Sequence, residues 1–384
     1  RELAAKARPV AMRELDELRA FASTELRLHD LQPWDVAYAS EKLRVARYAF
    51  EEEQLKPYFS QASVLKGVLD IATDVFGVRF AERTDVATWH PDVQYFDVLD
   101  ADGAVRAGVY FDHYAREGKR GGAWMDVCRT RLGLTGQIPV AYLTCNAAPP
   151  VEGRPSLLTH DDVITVFHEF GHGLHHLLTE IGWPAVSGIN GVEWDAVELP
   201  SQFMENFAWK REALDRFARH WQTGEPLPED LFAKMTAARH FHAGLFLVRQ
   251  LEFALYDFRL HLEYDPLRGP RTLEILDDVR REVAVLTPPA WQRFPHAFTH
   301  IFAGGYAAGY YSYLWAEVLS ADAFGAFEDA AAASGTVFDA ATGARYRREI
   351  LAVGGSRPAL ESFIAFRGRE PDPNALLKSY GLAA

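Results

Sequence analysis

Residues 165–176 read TVFHEFGHGLHH, an apolar helical run interrupted by His168, Glu169, His172, His175 and His176. Burying polar side chains without partners is costly. A fold that takes this segment into its interior must therefore supply those partners. Residues four apart share one face of a helix, so His168 and His172 present two imidazoles to one point. Glu169 stands about 100° round the axis, able to reach a water at that point but not in line to ligate beside them. This is the HExxH arrangement, two imidazole ligands for zinc with a carboxylate as general base. The alternative is a solvated surface helix with scattered His and Glu, but the flanking residues are apolar or small. Thr159 followed by Asp162 resembles a capping box with Asp in place of Glu, which starts the helix just before the motif. His175 is expected to be packed near the site and His176 to be partly exposed.

A catalytic zinc takes three protein ligands and keeps a fourth position open. The next helical segment, WDAVELPSQFMEN (194–206), offers Glu198 in an apolar setting. Glu198 is the expected third ligand, with Gln202 or Glu205 placed to orient a ligand histidine from behind. The competing reading is that Asp195 and Glu198 simply begin a helix, where negative charge is favourable. Pro200 fits only near such a start.

Away from these segments the period of the apolar residues divides the chain. Residues 1–92 read as helical, with three- and four-residue spacing in DVAYASEKLRVARYAF and ASVLKGVLDIATDVF. From 93 to 146 the period changes. VQYFDVLD, the turn ADG and AVRAGVYFDHY predict a hairpin, and GGAWMDVC and PVAYLTCN two further strands of a small, mostly antiparallel sheet. From 159 to 384 the helical period returns and persists. An edge strand near the metal, with PVAYLTCN the candidate, could pair with an extended peptide backbone.

The stretch 300–315 holds Tyr306, Tyr310, Tyr311 and Tyr313 beside Gly304-Gly305. The glycines permit a bend and close backbone approach to a ligand, and the phenols are donors of the kind an oxyanion requires. Tyr311 and Trp315 are expected to pack in a core. For His300, Tyr306 and Tyr313 composition alone does not choose between packing and chemistry.

The net charge of −13 argues against a nucleic-acid or anionic-membrane surface. No apolar run approaches the ~18 residues of a membrane span. Cys128 and Cys145 cannot build a disulfide framework and suit a reducing, cytoplasmic compartment.

These segments, together with LQPWDVAYASEK (31–42), GKRGGAWMD (118–126), PVAYLTCN (139–146), FPHAFTHIFAGGYAAGYYSYLWAEV (294–318) and FRGREP (366–371), resemble the thimet-type oligopeptidase family over essentially the whole chain. The resemblance implies a mainly α, zincin-like catalytic domain with a small sheet, holding one zinc ion and hydrolysing short peptides. It implies that His168, His172 and Glu198 bind the zinc and that Glu169 is the base. By the same resemblance His300, Tyr306 and Tyr313 stabilise the oxyanion and bind substrate, with Gly304, Gly305 and Tyr310 contributing to the substrate loop. Family members are longer, so a helical N-terminal part of the same protein is an expected partner. Within enzymes the rival is a dipeptidyl carboxypeptidase; outside them, a non-catalytic peptide-binding module, against which an intact HExxH argues.

Overall fold

The computed structural model describes residues 1–382, mainly helical with one five-stranded sheet. The chain divides into two compact units, each assembled from separated segments.

The larger unit comprises Glu51–Phe232 and Ala316–Ala375. Its strands are β1 (Arg79–Glu82), β2 (Gln94–Leu99), β3 (Val105–Tyr114), β4 (Trp124–Arg129) and β5 (Val140–Ala147), in the spatial order β1-β2-β3-β5-β4. Three pairings are antiparallel and β3–β5 is parallel. The hairpin turns at Asp100–Ala104, where Gly103 has φ +90°. Two sequence expectations are corrected. β1 lies inside the stretch read as helical, and PVAYLTCN is an interior strand, so the edge nearest it is β4. β4 alternates too weakly in burial to betray its position in sequence, since most of its residues are half-buried.

The helix His160–Leu177 carries the HExxH residues and packs across this sheet. Its predicted cap is present: Thr159 Oγ1 accepts from the Asp162 N–H at 3.0 Å, and Asp162 Oδ2 accepts from the Thr159 N–H at 2.9 Å. Phe170 stacks on Phe111 of β3, with ring centroids 6.2 Å apart. Gly173 lies against Leu143 of β5. On another side of the unit, Phe203 stacks on Tyr346 at 4.2 Å within a cluster that includes Phe207, Phe324, Phe327 and Phe366. Rings of this size bury much apolar area, the dominant favourable contribution to folding.

Among the described residues the smaller unit comprises Arg1–Phe50, Ala233–Trp315 and 376–382. The helices Glu2–Glu25 and Ala243–Leu262 pack together in it. Gly244 permits the close approach: a Cβ there would stand 2.8 Å from the Ala11 nitrogen. Glu14 accepts from the N–H groups of Gly244 and Leu245 at 3.2 and 2.8 Å, satisfying orphan donors at the second helix's start. No helix among the described residues is long and apolar enough to cross a membrane. Cys128 and Cys145 are both free thiols, and burial pushes Cys145 up to about 12.

Candidate active site

In the larger unit the structure brings His168, His172 and Glu198 together, with one donor atom from each within 4.8 Å of the others. Glu198 Oε2 lies 3.3 Å from His168 Nε2 and 3.1 Å from His172 Nε2. The approach depends on Gly171, between the two histidines. A Cβ there would stand 2.3 Å from the Pro200 carbonyl oxygen and 2.5 Å from the Ser201 Cα. Only glycine lets the helix Leu199–Glu205 come this close. Glu198 is the cap residue of that helix and Pro200 sits in its first turn, so both readings of the segment hold at once: Glu198 begins a helix and joins the cluster. The Ser201 hydroxyl donates to Glu198 Oε2 at 3.0 Å, fixing the carboxylate.

Behind the cluster Glu205 accepts from His168 Nδ1 at 2.7 Å, leaving Nε2 for the cluster's centre. Burial opposes charge on His168, but the hydrogen bonds to Glu198 and Glu205 hold its pKa well above the ordinary value. Burial would raise Glu198, yet the two histidines outweigh it and hold the carboxyl well below the usual range. Glu169, 6% exposed, is pushed up by burial against the opposing pull of His168 and His172. Its Oε2 is a buried acceptor without a hydrogen-bond partner.

The donor set fits zinc. Tetrahedral zinc with bonds of about 2.0–2.1 Å places its donors about 3.3 Å apart, and it takes imidazole and carboxylate together. The two measured donor separations match that spacing.

His175 is fully packed, and burial pushes its pKa to about 3. His176 corrects an expectation: it has no exposed surface, and its Nε2 lies 2.8 Å from the Arg129 carbonyl, tying the helix to β4. Sequence reasoning missed Lys119 and Asp112. The Lys119 ammonium, 5% exposed, donates to Asp112 Oδ1 at 2.8 Å and to the carbonyls of Tyr114 and Cys145. Asn146 donates to the carbonyls of Arg120 and Gly122. Together they fix the glycine-rich connection leading into β4. A lysine beside two glycines gives no periodic signal.

In the smaller unit, His300, Tyr306, Tyr310 and Tyr313 form a second cluster. Tyr306 stacks on Tyr313 with centroids 4.9 Å apart, and the His300 ring lies 5.8–6.4 Å from the three phenol rings. Gly305 has φ +86°, and a Cβ on Gly304 would stand 2.9 Å from His300. Burial raises the Tyr310 pKa, keeping the phenol a donor. Tyr311 and Trp315, expected in a core, are each 38% exposed. Leu314, Ala316, Val318 and Leu319 of the same stretch are buried instead.

An HExxH helix laid across a small mixed sheet, with a carboxylate from the following helix, defines a zincin-like metallopeptidase fold. Comparisons with known proteins agree. The sequence model described as Peptidase family M3 matches residues 1–382, and the chain belongs to that family. It is 53% identical over 384 residues to oligopeptidase A of Salmonella typhimurium, covering 99% of this chain and 56% of that protein. Identity and coverage are the same for oligopeptidase A of Escherichia coli. To the dipeptidyl carboxypeptidase of Escherichia coli it is 37% identical over 385 residues, covering 100% of this chain and 56% of that one. The chain thus spans little more than half the length of these relatives. Among solved structures, M32 carboxypeptidase from Deinococcus radiodurans is similar in fold, with TM-score 0.50 and 16% identity over 92% of this chain and 68% of that one.

Proposed function

We propose that this chain is the catalytic part of a zinc-dependent endopeptidase of the oligopeptidase A kind, acting on short peptides in the cytoplasm. One observation carries the reading: a buried carboxylate with a free acceptor, Glu169 Oε2, stands one residue from a His-His-Glu donor set. His168, His172 and Glu198 would hold the ion. Bound zinc would act as a Lewis acid and bring the pKa of a water toward about 7.

Glu169 takes the nucleophilic water's proton at its unpartnered Oε2 and delivers it to the leaving amine. Its raised pKa suits it to hold that proton between the two steps. Tyr313, with Tyr306 or His300, donates to the tetrahedral oxyanion, while Gly304, Gly305 and Tyr310 shape the loop that receives substrate. Such a donor is worth about 3–4 kcal/mol in the transition state. β4, one of the two edge strands of the sheet, is the candidate to pair with an extended peptide.

The test is a pair of internally quenched peptides of one sequence, one with both termini blocked and one with a free C-terminal carboxylate, given to the zinc-loaded chain. Cleavage of both is expected. Cleavage confined to the free carboxylate would make it a dipeptidyl carboxypeptidase. Tight binding of both without cleavage would make it a non-catalytic peptide-binding module.

A further inference from the structure

We propose that Asp257 is the positioning residue for the tyrosine loop: its carboxylate clamps the backbone of residues 306–311 and so sets where Tyr306 and Tyr313 present their hydroxyls. The proposal rests on the reading that these tyrosines act in catalysis.

Asp257 lies on the helix Ala243–Leu262, its side chain has no exposed surface, and it belongs to neither cluster described above. Its two oxygens are divided between two loop amides. Oδ1 accepts from the Ala308 N–H at 3.0 Å, and Oδ2 accepts from the Tyr310 N–H at 2.9 Å. His261 Nδ1 is also 3.0 Å from Oδ1. Seven residues earlier on the same helix, Gln250 Oε1 accepts from the Tyr310 hydroxyl at 3.0 Å. Residues 250, 257 and 261 recur at the spacing that places side chains on one face. That face holds the loop at three points.

The loop needs such a hold. Between the short helix Thr299–Phe302 and the helix beginning at Ser312 its backbone makes a few local bonds, Tyr306 N–H to the His300 carbonyl at 3.0 Å and Gly309 N–H to the Tyr306 carbonyl at 2.8 Å. Ala308 has φ +56°, a left-handed conformation that a residue with a Cβ adopts at a cost. The carboxylate offsets that cost through the bonds it accepts from the Ala308 and Tyr310 N–H groups of this turn. Charge-assisted bonds to a carboxylate shielded from water are stronger than neutral ones. Tyr306 and Tyr313 flank the clamped amides, so a shift of the turn displaces both hydroxyls. Misplacing a reacting group by about 1 Å can cost about 100-fold in rate.

The test uses Asp257→Asn, which keeps the shape but cannot accept from both amides, and Asp257→Glu, which keeps the charge with its acceptors one methylene out of place. Two readouts are taken on the zinc-loaded chain. Hydrogen exchange at the Ala308 and Tyr310 amides is expected to quicken in both variants while the helix Ala243–Leu262 stays protected. kcat on a quenched peptide is expected to fall about 10- to 100-fold with KM within about twofold and zinc stoichiometry unchanged. In a Tyr313→Phe background the same substitution is expected to cost a smaller factor in kcat, because one of the two hydroxyls that the clamp places is already gone. Unchanged exchange at the two amides would overturn the clamp, as would an equal fold-loss in the two backgrounds or a loss confined to KM. If Tyr313→Phe alone leaves turnover intact, the catalytic reading of the tyrosines fails instead, and the exchange data still decide whether Asp257 holds the loop.

Discussion

Glu169 and its neighbour His168 differ by one step on the same helix, and in the proposed mechanism that step separates acting on water from holding the ion. Glu169→Gln is expected to retain one zinc per chain by metal analysis and to lose nearly all turnover. Loss of zinc from the folded variant would contradict the assignment. Glu198→Ala is expected to weaken zinc binding by at least about tenfold in competition with a chelator, since two ligands remain on an ion that prefers three. Tyr313→Phe is expected to lower kcat by about 100–1,000-fold with little change in KM, as for other transition-state donors. Tyr311→Phe serves as its control, and equal small losses in the two would remove the oxyanion role. Most of the larger unit's cluster is legible in the sequence because four-residue spacing fixes a helix face. The burial of His176 is not, because its partner is the Arg129 carbonyl, 47 residues away and without a side-chain signature.

The HExxH helix and the helix that supplies Glu198 meet at Gly171, where their contact is backbone against backbone. A flexible side chain could yield to a new methyl group; the Pro200 carbonyl cannot without moving the helix. Gly171→Ala is therefore expected to destabilise the chain by about 1–3 kcal/mol or more and to weaken zinc binding with it, both read from thermal unfolding with and without a chelator. Full zinc affinity in this variant would mean that the helices are not held at this distance. Sequence periodicity identifies the long helices and the hairpin. It misses β1, whose four residues are too few to show alternation, and it takes PVAYLTCN for an edge strand. Strand order depends on the parallel β3–β5 pairing, whose strands are separated in sequence by β4 and its turns. That crossover leaves β4, rather than PVAYLTCN, as the edge.

Across the whole molecule, chemistry-bearing residues are concentrated in two sets, one in each compact unit. Each unit draws on segments far apart in the chain. This interleaving explains why the sequence reads as helix, sheet and helix while the folded units cut across those boundaries. It also explains why Asp257 carries no signal: an acidic residue in a helix looks like solvated surface until the loop some 50 residues later is seen to close on it. The central claim is that one ion, held by His168, His172 and Glu198, makes this chain a peptidase. The most direct test titrates zinc into the metal-free chain and follows bound metal and cleavage of an end-blocked quenched peptide together. Turnover is predicted to rise in proportion to bound zinc and to level off at one equivalent. Turnover that is independent of bound zinc, or zinc bound to one equivalent with no cleavage, would contradict it.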